Sequence, residues 1–283
     1  MGSRGAYYEK PGPVYVNKLV IKLPNKAVIL ARGLGTRMRA ETVGVALTGE
    51  QYRIAETGIK ALMPVVNDKT LVEFIIENLS AAGFSEVCLV IGPEHTAIRE
   101  FCSEKQLEVR FAVQDQPHGT ADAVLAAEEF VADELFHVVN SDNLYPVECL
   151  VTLRQANQPA MLAFERGALI ERGNIAADRI AKFATIELDE FGFLKQITEK
   201  PELVDSDSLV SMNAWLFSPA IFDACRAIKP SERGEYEITT AVQYLIDEGG
   251  ETFVAVKVAA GVLDLSSRAD IESVSRFLEK NKL

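Results

Sequence analysis

The residues most suited to chemistry begin at the end of an apolar run. Ala27-Val28-Ile29-Leu30-Ala31 leads directly into Arg32-Gly33-Leu34-Gly35-Thr36-Arg37. Two glycines let a backbone turn sharply and bring its N–H groups close to an anion. Thr36 adds a hydroxyl, and Arg37 adds a charged fork suited to phosphate oxygens. The spacing excludes two common phosphate loops. No Gly-Lys-Ser/Thr ending follows, and Gly33-x-Gly35 lacks the third glycine of a dinucleotide fingerprint. On this stretch alone, a plain turn between a strand and a helix remains an open alternative.

Other polar residues fall at the ends of apolar runs. Asp142 follows Val138-Val139-Asn140-Ser141, where a carboxylate could hold a hard cation or simply start a turn. Gln114 precedes Gly119-Thr120-Ala121-Asp122-Ala123-Val124. Its amide can both donate and accept, so it can read a base edge, although a solvated strand end is the plain alternative. Glu199-Lys200-Pro201 would be a solvated ion pair on surface statistics alone.

Together these pieces resemble, in order, the motifs of the sugar-phosphate nucleotidyltransferases, the nucleotide-sugar pyrophosphorylases. The resemblance covers roughly residues 26–265. It implies nucleotide binding by Leu30, Ala31, Arg32, Gly33, Gly35, Thr36, Gln114, Gly119 and Thr120. Arg32 stands where the family loop usually has a second glycine, and Ser141 where it has a glycine before Asp142. Arg37, Lys60, Asp142, Lys200 and Asp264 are implied as catalytic, with Asp142 and Asp264 as ligands of Mg²⁺. Glu199, Lys200, Asn213 and Glu237 are implied as sugar-binding. The implied fold is α/β: a Rossmann-like three-layer sandwich with a mostly parallel mixed central sheet and a sugar-binding β-rich extension.

The chain's periodicity supplies elements to hold these residues. Strands are predicted over 26–31, 87–91, 107–113, 135–139 and 160–164. Helices are predicted over 70–82, 96–102, 121–130 and 146–155 between them. That alternation predicts a mostly parallel sheet covered on both faces, with ligands at the carboxyl ends of the strands. The pattern then changes. Phe183–Leu188 and Phe193–Ile197 flank Asp189-Glu190-Phe191-Gly192 as a hairpin. A strand over 212–217, helices over 219–227, 238–246 and 269–280, and a strand over 253–258 complete the chain. Residues 38–59 look like an insertion of unassigned structure, and residues 165–182 are also unusual. We divide the chain into an N-terminal arm, residues 1–24, and a nucleotidyltransferase domain, residues 25–283.

Bulk properties narrow the function. The 283 residues carry a formal net charge of -12. Such a surface repels nucleic acid in general but leaves room for a local anion pocket. No basic track or aromatic stacking motif suggests a nucleic-acid partner. No run approaches the about 18 apolar residues of a membrane span, and the first residues lack a signal-like apolar core. Cytoplasmic location is the expectation. Cys88, Cys102, Cys149 and Cys225 form no CxxC pair and suit buried apolar sites. His95, His118 and His137 lack metal-ligand spacing.

The expected activity is nucleotidyl transfer from an NTP, UTP by preference, to a hexose 1-phosphate, giving an NDP-sugar and pyrophosphate. Adenylyl, thymidylyl or guanylyl transfer to another sugar or cyclitol phosphate is the alternative within the class. A non-catalytic regulator that binds nucleotide sugars is the alternative outside it. The resemblance also raises self-association as an expectation.

Overall fold

The computed structural model describes residues 22–42 and 44–281. Most of the arm expected over residues 1–24 therefore lies outside the described residues. Its last part, 22–24, is tied to the body. Lys22 pairs with Glu134 at 2.8 Å, and Arg154 Nε donates to Pro24 O at 2.6 Å.

Nine strands form one mixed sheet: β1 (Lys26–Leu30), β2 (Glu86–Ile91), β3 (Val109–Val113), β4 (Phe136–Asn140), β5 (Ala160–Glu165), β6 (Ala184–Leu188), β7 (Leu194–Thr198), β8 (Leu209–Phe217) and β9 (Val254–Val258). The order β4-β1-β2-β3 is parallel throughout. β1, β2 and β4 are short, mostly apolar runs because both sheet faces are covered there, whereas β3 at the edge keeps exposed positions. Along β1, Ala27 and Ile29 enter one core, and Val28 enters the other. The result is the expected α/β architecture of helices on both sides of a sheet.

The antiparallel part begins at β8. One edge of β8 pairs with β5. The other edge is shared: Leu209–Ser211 pairs with β6, and Trp215–Phe217 pairs with β4. Between the two pairings the register shifts, and Asn213 adopts φ 59°. The sheet thus parts beside the carboxyl end of β4. β6 and β7 form the expected antiparallel hairpin, and β9 runs parallel to β5.

Several boundaries differ from expectation. The helix predicted over 121–130 is two short helices, Thr120–Leu125 and Glu128–Val131. The stretch 38–59 contains a nine-residue helix, Gly49–Thr57. A capping box starts it: Thr48 Oγ1 accepts from Gln51 N, and Gln51 Oε1 accepts from Thr48 N. The unusual 165–182 stretch holds a helix, Arg166–Arg172, and a 3₁₀ segment, Ala177–Lys182.

All four cysteines are buried, and burial raises their thiol pKa values to about 11 or 12. His137 lies in the centre of the sheet, stacked on Phe84. Its Nδ1–H donates to Trp215 O at 2.7 Å, while the buried Nε2 has no partner among the described residues.

Candidate active site

The glycine loop leaves the sheet after Ala31, whose N–H still donates to Val90 O at 2.8 Å. Gly35 then takes φ 61°, in the left-handed region. A Cβ there would lie 2.2 Å from Gly58 O, so the position needs glycine for space as well as for φ. Gly58 caps the helix Gly49–Thr57. The inserted helix therefore buttresses the loop from below. Arg39 adds bonds to Thr57 O at 3.1 and 2.8 Å. Arg268 adds a bond to Met38 O at 2.8 Å. The N–H groups of Gly33, Leu34 and Gly35 have no acceptor among the described residues, which leaves them available to an anion.

This loop forms one wall of a cleft of about 390 Å³. Leu30, Ala31, Arg32, Gly33, Gly35, Thr36 and Arg37 line it with Lys60, Gln114, Gly119, Thr120 and Asp142. Sequence reasoning did not single out Gly58, Ile59, Pro117, Asn140 or Glu235, which also line it. The position of Gly58 inside an unassigned insertion carried no recognisable signal.

Gln114 is buried at the end of β3, and its side-chain orientation is fixed by two acceptors. Nε2 donates to Gly119 O at 3.0 Å and to Asp122 Oδ2 at 2.8 Å. Because both partners only accept, Oε1 remains as the acceptor for a ligand. Gly119 has φ 118°, and a Cβ there would lie 2.6 Å from Tyr236 O. Ala121 N donates to Tyr236 O at 2.8 Å, and Tyr236 N donates to His118 O at 2.7 Å. Thr120 lines the cleft, and its hydroxyl accepts the Ile238 N–H at 2.9 Å while keeping its own hydrogen to donate. Arg32 folds back. Its largely buried guanidinium donates to Gln114 O and pairs with Glu94 at 3.3 Å, clasping the glycine loop to the end of β3.

One carboxylate, Asp142, lines the cleft, and a second, Asp264, is buried beside the residue that follows it. β4 delivers Ser141, whose N–H donates to Leu30 O at 3.1 Å, and then Asp142. The next residues, Asn143–Leu144, pair antiparallel with Leu263–Asp264. Leu265 N donates to Asp142 O at 2.8 Å. Asp142 pairs with Lys60 at 2.8 Å. Asp264 is 3% exposed and accepts from Asn143 Nδ2 at 3.0 Å and from Arg179. Burial raises the Asp264 pKa above the usual carboxylate range, and the Asp142 charge raises it further, while Arg179 opposes both. Among the described residues, no three His, Cys, Asp or Glu side chains cluster as a complete metal cage. Two carboxylates suit Mg²⁺ nonetheless, because that ion commonly keeps waters and takes its remaining ligands from substrate phosphates.

The residues expected to hold a sugar lie outside the lining of this cleft. Glu199 accepts from Thr239 Oγ1 at 3.0 Å. Burial raises its pKa; the Thr239 bond opposes that, and the Glu237 and Glu235 charges add to it. Glu235 itself lines the cleft, so the two regions adjoin. Lys200 is exposed with φ 44° and has no side-chain partner among the described residues. Asn213 occupies the register shift in β8, and its Oδ1 accepts from Trp215 Nε1 at 3.2 Å. Glu237 is buried, with Oε1 held by Arg233 at 2.5 Å and Ser231 at 3.2 Å. These bonds make Glu237 a support for the 231–237 loop.

Comparison with known proteins bears on this arrangement. A family model described as "Nucleotidyl transferase" matches residues 26–281. The chain is 32% identical over 257 residues to a glucose-1-phosphate thymidylyltransferase of Streptomyces antibioticus, covering 89% of this chain and 65% of that protein. It is 28% identical over 258 residues to the UTP--glucose-1-phosphate uridylyltransferase AglF of Haloferax volcanii, covering 90% of this chain and 97% of that protein. The chain spans 58% to 65% of the length of three of the curated relatives it matches, the Streptomyces antibioticus protein among them, less than two thirds. A crystal structure of UDP-glucose pyrophosphorylase complexed with UDP-glucose superposes with TM-score 0.69 at 20% identity, covering 92% of this chain and all of that one. That likeness bears on the fold alone.

Proposed function

We infer the function from one premise: the chain belongs to the nucleotidyl transferase family. On that premise it transfers a nucleotidyl group, uridylyl by preference, from an NTP to a hexose 1-phosphate. The observation that carries this reading is the joining of three features in one cleft. They are the glycine loop, the oriented Gln114 amide, and the Asp142 end of the carboxylate pair.

The loop N–H groups and Arg37 hold the β- and γ-phosphates. Lys60 passes from Asp142 to the α-phosphate, and Lys200 balances the sugar phosphate. An oxygen of the sugar 1-phosphate attacks the α-phosphorus. The bond to the α,β-bridging oxygen breaks, and pyrophosphate departs with that electron pair. The attacking phosphate is already anionic, so no general base is needed. Mg²⁺, held by Asp142 and Asp264, would polarise the α-phosphate and offset its developing charge. Glu199, Asn213 and Glu237 form the sugar side where the sheet parts.

Gln114 also bears on base choice. With Nε2 committed, Oε1 accepts from a ring N–H. Uracil, thymine and guanine offer that donor, whereas the corresponding ring nitrogens of adenine and cytosine are acceptors. Among these, thymidylyl transfer is the second reading, favoured by the Streptomyces relative. Among the described residues, no helix is long and apolar enough to cross a membrane. Soluble substrates of this kind support a cytoplasmic reaction.

A pyrophosphate-release matrix tests the reading: UTP, TTP, ATP, GTP and CTP against several sugar 1-phosphates, with and without Mg²⁺. Release is expected with UTP or TTP, a hexose 1-phosphate and the metal together. Nucleotide-sugar binding without release in any combination would favour the regulator.

A further inference from the structure

The segment between β5 and β6 matched no motif, yet it grips the second carboxylate. Asn174 holds the Asp264 backbone from both sides: Oδ1 accepts from Asp264 N at 2.7 Å, and Nδ2 donates to Asp264 O at 2.9 Å. Five residues on, Arg179 divides its guanidinium. One arm donates to Asp264 Oδ2, and the other donates to Asp270 Oδ1 at 2.6 Å. Asp270 is fixed in turn at the start of the last helix, Arg268–Asn281. Its Oδ2 accepts from Ser266 N, Ser267 N and Ser267 Oγ at 2.7 to 3.1 Å. Arg179 is thus pre-positioned, and its side chain is 17% exposed.

The consequence is electrostatic. Each carboxylate of the candidate metal pair has a cation beside it, Lys60 on Asp142 and Arg179 on Asp264. Both oxygens of Asp264 are engaged, one by Asn143 and one by Arg179. Lys60 can move to a nucleotide phosphate when substrate arrives. Arg179 has a second anchor, Asp270, to which it can retain one arm while releasing Asp264.

We propose that Arg179 is an internal counter-cation that competes with the divalent metal for Asp264 and sets the metal concentration at which the Asp142–Asp264 pair fills. It is a positioning residue, acting through Asp264. This rests on the reading of that pair as the metal site. A purely structural Arg179 would have the opposite signature, because its removal would loosen Asp264 and weaken the metal.

Direct Mn²⁺ binding, read by electron paramagnetic resonance on the full chain, separates these cases. Arg179→Gln removes a positive charge in contact with a ligand of a dication, so Mn²⁺ is expected to bind at least about tenfold more tightly than in the wild type. The thermal midpoint of Arg179→Gln without metal should fall, and saturating Mn²⁺ should raise it more than it raises the wild type. Arg179→Lys keeps the charge but loses the fork, so its affinity should lie between the two. Equal or weaker Mn²⁺ binding by a folded Arg179→Gln overturns the proposal while leaving the metal pair intact. If Arg179→Gln does not fold even with Mn²⁺, Arg179→Lys decides: tighter binding than wild type supports the competition, and equal or weaker binding overturns it. Binding by no form of the chain overturns both the competition and the metal reading.

Discussion

Asn143 and Asp264, 121 residues apart in sequence, are joined by a side-chain hydrogen bond of 3.0 Å. That bond and the strand pairing beneath it bring Asp264 to the carboxyl end of β4, beside Asp142. Asp264→Asn keeps the shape and removes the charge. Turnover at fixed Mg²⁺ is expected to fall by about 10²- to 10³-fold, comparable to loss of other groups that stabilise charge in a transition state. Nucleotide binding measured without metal should change far less. Steady-state kinetics alongside equilibrium titration checks the split.

The glycine loop offers a paired test. Gly35→Ala places a Cβ 2.2 Å from Gly58 O at a positive φ, so it should cost about 1–3 kcal/mol and raise the KM for NTP. Gly33→Ala meets nothing within 4 Å and should leave the fold stability near that of the wild type. Thermal unfolding of the two variants checks the contrast.

Base choice should depend on Gln114. Gln114→Ala removes the acceptor aimed at a ring N–H and should cut kcat/KM for UTP by about 10- to 100-fold, with a smaller loss for ATP. Competition between the two nucleotides, monitored by product ratio, would reveal a relaxed preference.

Glu199 gives a pH signature on the sugar side. Burial foremost, with the Glu237 and Glu235 charges, raises its pKa above that of an ordinary glutamate. If its carboxylate accepts sugar hydroxyls, the KM for sugar 1-phosphate should climb as pH falls through that raised value. Glu199→Gln should flatten this limb of the profile. The KM for NTP should follow a different curve.

His137 governs part of the acid stability. Burial lowers its pKa from 6.5 to about 4, with the Trp215 carbonyl opposing the shift. Between these values the unfolded chain binds a proton that the folded chain refuses. Stability therefore declines as pH drops from about 6.5 towards 4. The full difference is about 3 kcal/mol, reached below the folded pKa. His137→Asn retains a donor near the Nδ1 position and should show a shallower decline in urea midpoints across that window.

Legibility in the sequence followed locality. The parallel strands were readable because burial on both faces gives continuous apolar runs, as in β1 and β2. Leu30 to Arg37 and Gln114 were readable because their chemistry sits in one short string or beside a glycine-rich one. Gly58 was not, because its meaning lies in a close approach to Gly35 from another segment. Arg179 was hidden for the same reason: only the fold shows that it faces Asp264 and Asp270. The side-chain commitments of Thr120 and Glu237 likewise depend on partners in the 231–238 region that no local pattern specifies.

The most direct measurement follows the α-phosphate itself. The wild-type chain is given UTP labelled at the α-phosphorus, glucose 1-phosphate and Mg²⁺. The label should move into a phosphatase-resistant nucleotide sugar in step with one pyrophosphate per transfer, and Asp142→Asn should slow this at least about 100-fold. Label that stays in UTP with every hexose 1-phosphate and with TTP substituted, or that emerges only as the free nucleoside monophosphate, would contradict nucleotidyl transfer to a sugar phosphate.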